Sequence, residues 1–358
     1  MPKLTIAKHY GVCAGAGDSL KSAYRIREMY DGRVCTFGPL LNNSSVVEHL
    51  NKQGILTIDI GSYTNGNYDP GRIIQALDTI RKGDVIMITA HGLEKELVDD
   101  IKARVGDAGS VYDLTCKRGV SLAQKTARRY HEKGYGVVFL TSEKNCFHPE
   151  TRGILSYARD SYRDSSDVLL PSDDTLLARA DLKEVLDSAY TRFTKTSAVI
   201  TSRLDICSDR FSYFLSYQKK GIGILAKTTE ETSWFNRLSS IIKEYVGNAF
   251  PRLEIDTTMT ICNATQQRQN ALKEMLSENH LEAIVVVGDE TSANSKKLMD
   301  IAIGMHPDLP IYFAKDWKGL CSDGLEKLTC CNHIGLTAGA SAFPNDVAEI
   351  IRNLRAID

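Results

Sequence analysis

Short apolar runs alternate with longer amphipathic stretches along the whole chain, and this alternation constrains the fold more than any other feature. Brief Val-, Ile- and Leu-rich runs with few charges are typical of strands buried on both faces of a parallel sheet. The predicted strands are Leu4–Ala7, Arg33–Thr36, Val85–Thr89, Gly136–Leu140, Gly221–Leu225, Ala283–Val287, Pro310–Phe313 and His333–Leu336. The predicted helices between them include Asp18–Met29, Ser121–Lys133, Glu231–Tyr245, Gln267–Ser277 and Asn294–Met305. The pattern predicts α/β units with right-handed crossovers.

Length and charge limit the class of protein. At roughly 100–200 residues per domain, 358 residues allow two or three domains. The chain has 44 Lys and Arg against 45 Asp and Glu, whereas proteins that bind nucleic acid or membrane surfaces usually carry a basic excess. No apolar run approaches the length of a bilayer span, and the first residues lack the apolar core of a signal peptide. We therefore expect a cytoplasmic protein with neither a nucleic-acid nor a membrane partner.

Three cysteines, Cys13, Cys116 and Cys262, share one context, because each follows a short extended segment and opens a polar-faced helix. The loop after the next strand places a polar residue 29, 32 and 32 positions later, at Asn42, His148 and Asn294. A later loop places one 78, 112 and 79 positions later, at His91, Thr228 and Ser341. This repeat predicts three similar lobes, 14–115, 116–261 and 262–358 plus 1–13. The long middle spacing predicts an insertion within about 172–220.

A trefoil-like, pseudo-threefold arrangement of these lobes would bring the three cysteines to the centre, surrounded by loops at strand ends. Thiolates at helix N-termini can hold a metal centre, and the same termini attract anions. The separations of 103 and 146 residues between the cysteines are unlike the compact motifs of zinc fingers or ferredoxins. Buried structural thiols are therefore the alternative that the spacing leaves open.

The chain resembles the IspH/LytB family, the 4-hydroxy-3-methylbut-2-enyl diphosphate (HMBPP) reductases of the non-mevalonate isoprenoid pathway. The first matching motifs are Gly11-Val12-Cys13-Ala14-Gly15, Ala90-His91-Gly92, Thr115-Cys116 and His148-Pro149-Glu150 with Gly153. The others are Thr228-Thr229, Cys262-Asn263-Ala264-Thr265 with Arg268-Gln269, Ser292-Ala293-Asn294-Ser295 and Thr337-Ala338-Gly339-Ala340-Ser341. They occur in family order from residue 11 to 341, so the resemblance covers nearly the whole chain.

The resemblance implies a central 4Fe–4S cluster held by Cys13, Cys116 and Cys262, with the fourth iron open to substrate. It implies reductive dehydroxylation of HMBPP to isopentenyl and dimethylallyl diphosphates. Electrons would come from a ferredoxin or flavodoxin, because the sequence contains no nicotinamide or flavin fingerprint.

The resemblance also implies roles for individual residues. Glu150 matches the acid that delivers a proton, with Thr228 as its relay and His148 beside it. The residues that match contacts to the allylic diphosphate are Asn42, His91, His148, Thr228, Ser292, Asn294 and Ser341. Taken alone, each of these is more often an ordinary helix cap, and their recurrence in three lobes favours the binding interpretation.

Four positions in or next to the predicted pocket depart from the family pattern. Asn42 stands where the family usually has His, Lys117 replaces Pro, Ala293 replaces Ser, and Phe343 is an added residue. Cys146 is interpreted as a loop cysteine, with a fourth thiol as the alternative.

Two further hypotheses stay open: an IspH-like enzyme that uses the open iron on a different small substrate, and a non-enzymatic redox sensor. A sensor would need no proton relay.

Overall fold

The computed structural model describes residues 2–61, 69–159 and 194–357. The strands are β1 Lys3–Ile6, β2 Val34–Phe37, β3 Ile55–Ile58, β4 Val85–Ile88, β5 Ser110–Asp113, β6 Tyr135–Leu140, β7 Ser197–Ile200, β8 Gly221–Ala226, β9 Glu254–Thr257, β10 Ala283–Val287, β11 Ile311–Ala314 and β12 His333–Ala338. The helices are α1 Ala14–Met29, α2 Ser44–Lys52, α3 Pro70–Asp78, α4 Lys95–Val105, α5 Val120–Glu132, α6 Pro149–Leu155, α7 Arg203–Ile206, α8 Asp209–Tyr217, α9 Thr232–Ala249, α10 Asn263–Glu278, α11 Ala293–Met305, α12 Trp317–Asp323, α13 Leu325–Leu328 and α14 Pro344–Arg355. Within these described ranges, none of the helices combines the length and apolar character needed to cross a membrane.

The strands form three parallel four-stranded sheets that share one strand order. The orders are β3-β2-β4-β5, β7-β6-β8-β9 and β11-β10-β12-β1. In the third sheet the last place is taken by β1, whose Lys3 is in register with His333 of β12. Each sheet therefore repeats the same strand order, and the prediction of an α/β fold with three similar units is confirmed.

The eight predicted strands are all present, as are the five predicted helices, with ends that differ by a few residues. The strands that the sequence did not predict are β3, β5, β7 and β9, and each lies at the edge of its sheet. Edge strands need not be apolar on both sides. Strand β5 ends in Asp113, β9 begins with Glu254, and Leu56 in β3 is 45% exposed. Polar and exposed positions hide β3, β5 and β9 from a search for continuous apolar runs, whereas β7 is buried at all four positions.

The chain divides into two compact units. The first comprises Met1–Arg27, Pro39–Ile55 and Cys262–Asp358, and the second comprises Glu28–Gly38 and Leu56–Ile261. The boundaries of the three predicted lobes stay a prediction. Of the predicted insertion, residues 172–193 lie outside the described residues, and residues 194–220 carry β7, α7 and α8.

In the first unit, side chains of β10 alternate between two cores. Val285 packs with Leu336 and Ile350 on one face, whereas Val286 packs with Leu272 and Leu298 on the other. Helices therefore cover both faces of this sheet, and only the ends of its strands are left for a polar site.

The second unit shows the same alternation in β6. Val138 belongs to one core and Val137 to another, which also contains Tyr130 of α5. The Tyr130 ring lies directly on Gly223 of β8, where an added Cβ would come within 2.2 Å of it. A glycine is thus needed in the middle of this strand because the ring occupies the space of a side chain.

Candidate functional site

Predicted site residues of the second unit lie in loops that follow β4, β6 and β8, at the carboxyl ends of these parallel strands. His148 is the N-cap of α6, and Pro149 occupies the first helical position, where its fixed backbone angle suits a helix start. The Nδ1 atom of His148 accepts a hydrogen bond from the backbone N–H of Glu150 at 3.2 Å. In neutral His148 the ring proton is therefore on Nε2, which makes that atom a hydrogen-bond donor.

The rings of His91 and His148 stack, with centroids 5.8 Å apart and an interplanar angle of 23°. Burial lowers the pKa of His91 to about 4, an effect that the charge of Glu150 opposes and that of Lys227 reinforces. Burial, the charge of Lys227 and the neighbouring His91 hold the pKa of His148 well below its usual value. At neutral pH both rings are uncharged, so each offers hydrogen bonds without a positive charge.

The carboxylate of Glu150 is buried and accepts hydrogen bonds on both oxygens. Oε1 accepts from the backbone N–H of Thr228 at 2.9 Å and from its hydroxyl at 2.6 Å. Oε2 accepts from Nζ of Lys227 at 3.0 Å. Burial alone would raise the pKa of Glu150, but the charge of Lys227 and the hydrogen bonds from Thr228 outweigh it and lower this pKa. The structure thus brings together Glu150, Thr228 and His148, and it holds the carboxyl group ionised.

Lys227 belongs to this group although the sequence did not predict it. Its side chain is 1% exposed and also donates to the hydroxyl of Thr229 at 2.7 Å. A lysine directly after a strand is usually solvated, and its partner Glu150 is 77 positions away. One feature of the sequence could have indicated this role. Lys227 is a single charged residue between the apolar run of β8 and Thr228, in a loop that was already expected to face a ligand.

A second group of predicted residues lies in the first unit. The hydroxyl of Ser341 donates to Oγ of Ser292 at 2.9 Å and to the backbone oxygen of Asn42 at 3.5 Å. Ser292 caps α11 by accepting from the backbone N–H of Ser295 at 3.3 Å. Gly339 permits this packing, because a Cβ there would lie 1.9 Å from Oγ of Ser295. Two of the predicted side chains, Ser292 and Ser341, therefore meet at one helix N-terminus, with the backbone of Asn42 beside them.

Asn294 is held in the same place by both ends of its amide. Its Oδ1 accepts from the backbone N–H of Ala340 at 3.1 Å, and its Nδ2 donates to Oγ1 of Thr265 at 3.2 Å. These bonds tie the first turn of α11 to the loop after β12 and to α10. Hydroxyl, amide and backbone N–H groups at a helix N-terminus are donors suited to a phosphate.

A buried carboxylate fixes the loop that carries Asn42. Oδ2 of Asp289 accepts from the backbone N–H of Ser44 at 2.9 Å and from its hydroxyl at 2.7 Å. Burial would raise the pKa of Asp289, but these bonds and those from Thr291 outweigh it and lower the pKa. Asn43 caps α2 through Val46. The start of α2 is therefore anchored to the loop after β10.

Two of the three predicted cluster cysteines belong to the first unit. Sγ of Cys13 accepts from the backbone N–H of Ala16 at 3.3 Å, and Cys262 is the N-cap residue of α10. Arg268 on α10 donates to the backbone oxygen of Gly11 from Nε at 3.0 Å and from Nη2 at 2.7 Å. Burial lowers the pKa of Arg268, whereas Cys13 and Cys262 act to raise it, so both sulfur atoms lie within electrostatic range of one guanidinium group.

Cys116 belongs to the second unit and is half-buried. Its backbone N–H donates to the backbone oxygen of Ala90 at 2.9 Å, immediately before His91. The helix α5 begins only at Val120, so a short turn containing Lys117 separates this cysteine from the helix. In the three described stretches, no group of three or more Cys, His, Asp or Glu side chains is arranged to hold a single metal ion. The thiolates of a cluster bind different irons, and they are spaced more widely than the ligands of one ion.

The parallel sheets and the thiol, histidine and carboxylate groups at their carboxyl ends define an α/β protein with an enzyme-type polar site. The chain belongs to the LytB protein family, whose family model matches residues 4–355. This match confirms the resemblance that the motifs indicated.

Similar proteins are named 4-hydroxy-3-methylbut-2-enyl diphosphate reductase. One from Clostridium perfringens is 25% identical over 354 residues, which cover 98% of each chain. One from a Nitratiruptor species is 25% identical over 355 residues, which cover 99% of each chain. One from Clostridium tetani is 25% identical over 349 residues, and the chain spans only 41% of its length.

Two solved structures share the fold. A structure of (E)-4-hydroxy-3-methyl-but-2-enyl diphosphate reductase superimposes with a TM-score of 0.58 at 22% identity and covers all of both chains. The structure of the E-1-hydroxy-2-methyl-but-2-enyl-4-diphosphate reductase from Plasmodium falciparum gives a TM-score of 0.68 at 17% identity. It covers 98% of this chain and 87% of the other. At these identities the likeness concerns the fold alone.

Proposed function

We propose that the protein is an iron–sulfur reductase that converts HMBPP to isopentenyl and dimethylallyl diphosphates. The observation that carries the proposal is the buried hydrogen bond between Glu150 and Thr228, beside two neutral histidines, in a chain of the LytB family. In this reaction the allylic C–O bond breaks and a C–H bond forms. Two electrons and two protons enter, and the hydroxyl group leaves as water.

We assign Cys13, Cys116 and Cys262 to a 4Fe–4S cluster. The donor set fits such a group, because Cys13 receives a backbone hydrogen bond at a helix start and Cys262 occupies the N-cap position of a helix. Arg268 adds a positive charge near two of the thiols. When bound, a cluster of this kind supplies single electrons and a Lewis-acidic iron for the substrate oxygen.

We assign the neutral donors to the diphosphate. In the second unit these are His91 and His148, and in the first unit they are Asn42, Ser292, Asn294 and Ser341. Thr228 is assigned to the same substrate, at its departing hydroxyl group. His148 would use Nε2 to bind the diphosphate, because its Nδ1 accepts a hydrogen bond from the backbone of α6. Neutral N–H and O–H groups bind phosphate oxygens by directional hydrogen bonds, as helix N-termini do.

Glu150 is assigned as the acid that protonates the departing hydroxyl group. The Thr228 hydroxyl now donates to the carboxylate. For a proton to move outward, the carboxyl group must be protonated and the hydroxyl must turn its own proton to the substrate. The reaction also needs an electron donor, which we assign to a ferredoxin or flavodoxin in the cytoplasm.

The direct test is anaerobic reconstitution with iron and sulfide, followed by incubation with HMBPP and reduced viologen. The expected result is viologen oxidation together with both isomeric products, identified by mass spectrometry. A protein that forms its cluster but leaves HMBPP unreacted would contradict the proposal. That outcome would favour a different small substrate or a redox sensor.

The role of Glu150 has its own test. Glu150→Gln should keep the visible absorption of the cluster and lose reduction of HMBPP. Glu244→Gln, an exposed position on α9, is the matched control and should keep wild-type activity. Full activity in the Glu150 variant would remove this residue as the acid.

A further inference from the structure

Lys227 and Glu150 form an ion pair that is almost wholly shielded from water. Nζ and Oε2 are 3.0 Å apart, and the side chains are 1% and 5% exposed. Burial of two charges is costly, and a buried pair is a weak source of stability. The position of this pair, directly beside the assigned relay residue Thr228, points to a chemical role.

The two oxygens of Glu150 have different partners. Oε2 accepts from the Lys227 ammonium, whereas Oε1 accepts from the backbone and hydroxyl of Thr228. A second bond from Nζ to the hydroxyl of Thr229, at 2.7 Å, holds the ammonium in place. The carboxylate therefore lies between a group rich in protons and the hydroxyl that leads to the substrate.

We propose that Lys227 is a positioning residue that keeps Glu150 ionised between turnovers and resupplies the proton that Glu150 delivers. This inference rests on the proposed function. An N–H bond of the ammonium breaks as an O–H bond forms on the carboxyl group, so the charge of the pair is conserved at zero. The carboxyl group then turns, passes its proton to the Thr228 hydroxyl, and that hydroxyl releases its own proton to the leaving oxygen. The neutral amine recovers a proton from solvent.

The electrostatics of the pocket agree with this assignment. An acid whose pKa is lowered, as that of Glu150 is, holds no proton of its own at neutral pH. The other titratable groups near it are His91 and His148, and both are neutral because their pKa values are lowered. Arg152, on the same helix, is engaged by Glu94. Of the groups named here, Lys227 is the one whose nitrogen donates a hydrogen bond directly to the carboxylate of Glu150, at 3.0 Å.

Infrared difference spectroscopy tests the protonation state without turnover. The wild-type protein and Lys227→Gln are each compared with the same protein carrying Glu150→Gln, so that the difference isolates the carboxyl group of Glu150. At pH 7 we expect a carboxylate signal in the wild type. Lys227→Gln should gain a protonated carboxyl band that the double variant lacks. Lys219→Gln, an exposed position before β8, should match the wild type.

Two infrared results would overturn the proposal. One is a Glu150 carboxylate that stays fully ionised at pH 7 in Lys227→Gln. The other is a protonated Glu150 band in the wild type at pH 7, and this measurement decides the question even where Lys227→Gln does not fold.

The pH profile of HMBPP reduction provides the second readout. In the wild type, the alkaline limb of kcat/KM should follow loss of the proton shared by the pair. In Lys227→Gln we expect kcat to fall at least tenfold and the alkaline limb to move to lower pH, because the carboxyl group must now hold the proton itself. A lower kcat with an unmoved limb would mean that Lys227 is only structural. A wild-type protein without turnover would refute the proposed function, while the infrared result would still decide the role of Lys227.

Discussion

The buried ion pair between Glu94 and Arg152 joins two loops that carry histidines. Glu94 lies three positions after His91 and precedes α4, and Arg152 lies in α6, four positions after His148. Their side chains are only 8% and 6% exposed. A second hydrogen bond, from the backbone N–H of Lys95 to Oγ of Ser156 at the C-cap of α6, is 3.1 Å long and supports the same contact. We therefore expect this pair to hold His91 and His148 in their stacked arrangement.

A double-mutant cycle measures the strength of this connection. Removing one partner of a buried ion pair leaves the other charge in a medium of low polarity, which costs about 3–5 kcal/mol. Glu94→Gln and Arg152→Met should each lower the free energy of unfolding by about that amount. The double variant leaves no unpaired charge, so the two losses should fall short of additivity by about 2–3 kcal/mol. The control is Asp99→Asn on α4, whose partner Lys102 is 3.4 Å away and 59% exposed. This change should cost less than about 0.5 kcal/mol.

Urea unfolding followed by far-ultraviolet circular dichroism provides the free energies, with the slope of the transition compared between variants. Affinity for HMBPP, measured on the same proteins, should weaken in both single variants because the histidines lose their fixed positions. Additive losses, with a coupling below about 0.5 kcal/mol, would refute the reasoning. So would a Glu94→Gln protein as stable as the Asp99→Asn control.

Three further predictions concern strand packing, substrate binding and acid sensitivity. Gly223→Ala should lower the free energy of unfolding by about 1–3 kcal/mol, and with it the urea midpoint, because the new Cβ would lie 2.2 Å from the Tyr130 ring. Gly247→Ala in α9, where nothing lies within 4 Å, should instead add about 0.5–1 kcal/mol. Asn42→His should lower the KM for HMBPP roughly two- to tenfold, since the imidazole should strengthen the hydrogen bond assigned to Asn42 by about 0.5–1.5 kcal/mol, and an unchanged KM would mean that the pocket holds another compound. Because the pKa of His91 is about 4 in the folded chain against 6.5 for the free group, the unfolded state binds more protons between these values. The urea midpoint should therefore fall as the pH drops from 6.5 towards 4, and His91→Gln should flatten this decline.

The central strands of each sheet could be predicted from the sequence, because the pattern that identifies them lies within the few residues of the strand itself. Strands such as β8 and β10 are buried at every position, so a run of apolar residues with few charges suffices to find them. The edge strands β5 and β9 carry acidic residues and are partly exposed, so their existence depends on partners far along the chain. A local pattern contains no information about such partners.

The motifs point to Glu150, Thr228 and His148, which the structure brings together, but they point neither to the neighbouring Lys227 nor to the charges of these groups. A histidine near neutral pH can be charged or uncharged, and a motif does not distinguish the two states. The structure shows His91 and His148 neutral, because burial lowers their pKa values, and places the positive charge on Lys227. Burial and the neighbour of a side chain decide its protonation, and both follow from the fold.

The pairing of β1 with β12 has a consequence for how the chain is made. The two strands meet across a sequence separation of 328 residues, as between Thr5 and His333. During synthesis β1 leaves the ribosome early and must wait for β12, whereas β6 finds β8 after a much shorter stretch of translation. The first unit should therefore be the last to mature on the ribosome. Removing residues 3–6 would leave β12 with an open edge and a row of unpaired backbone groups, which invites association between chains.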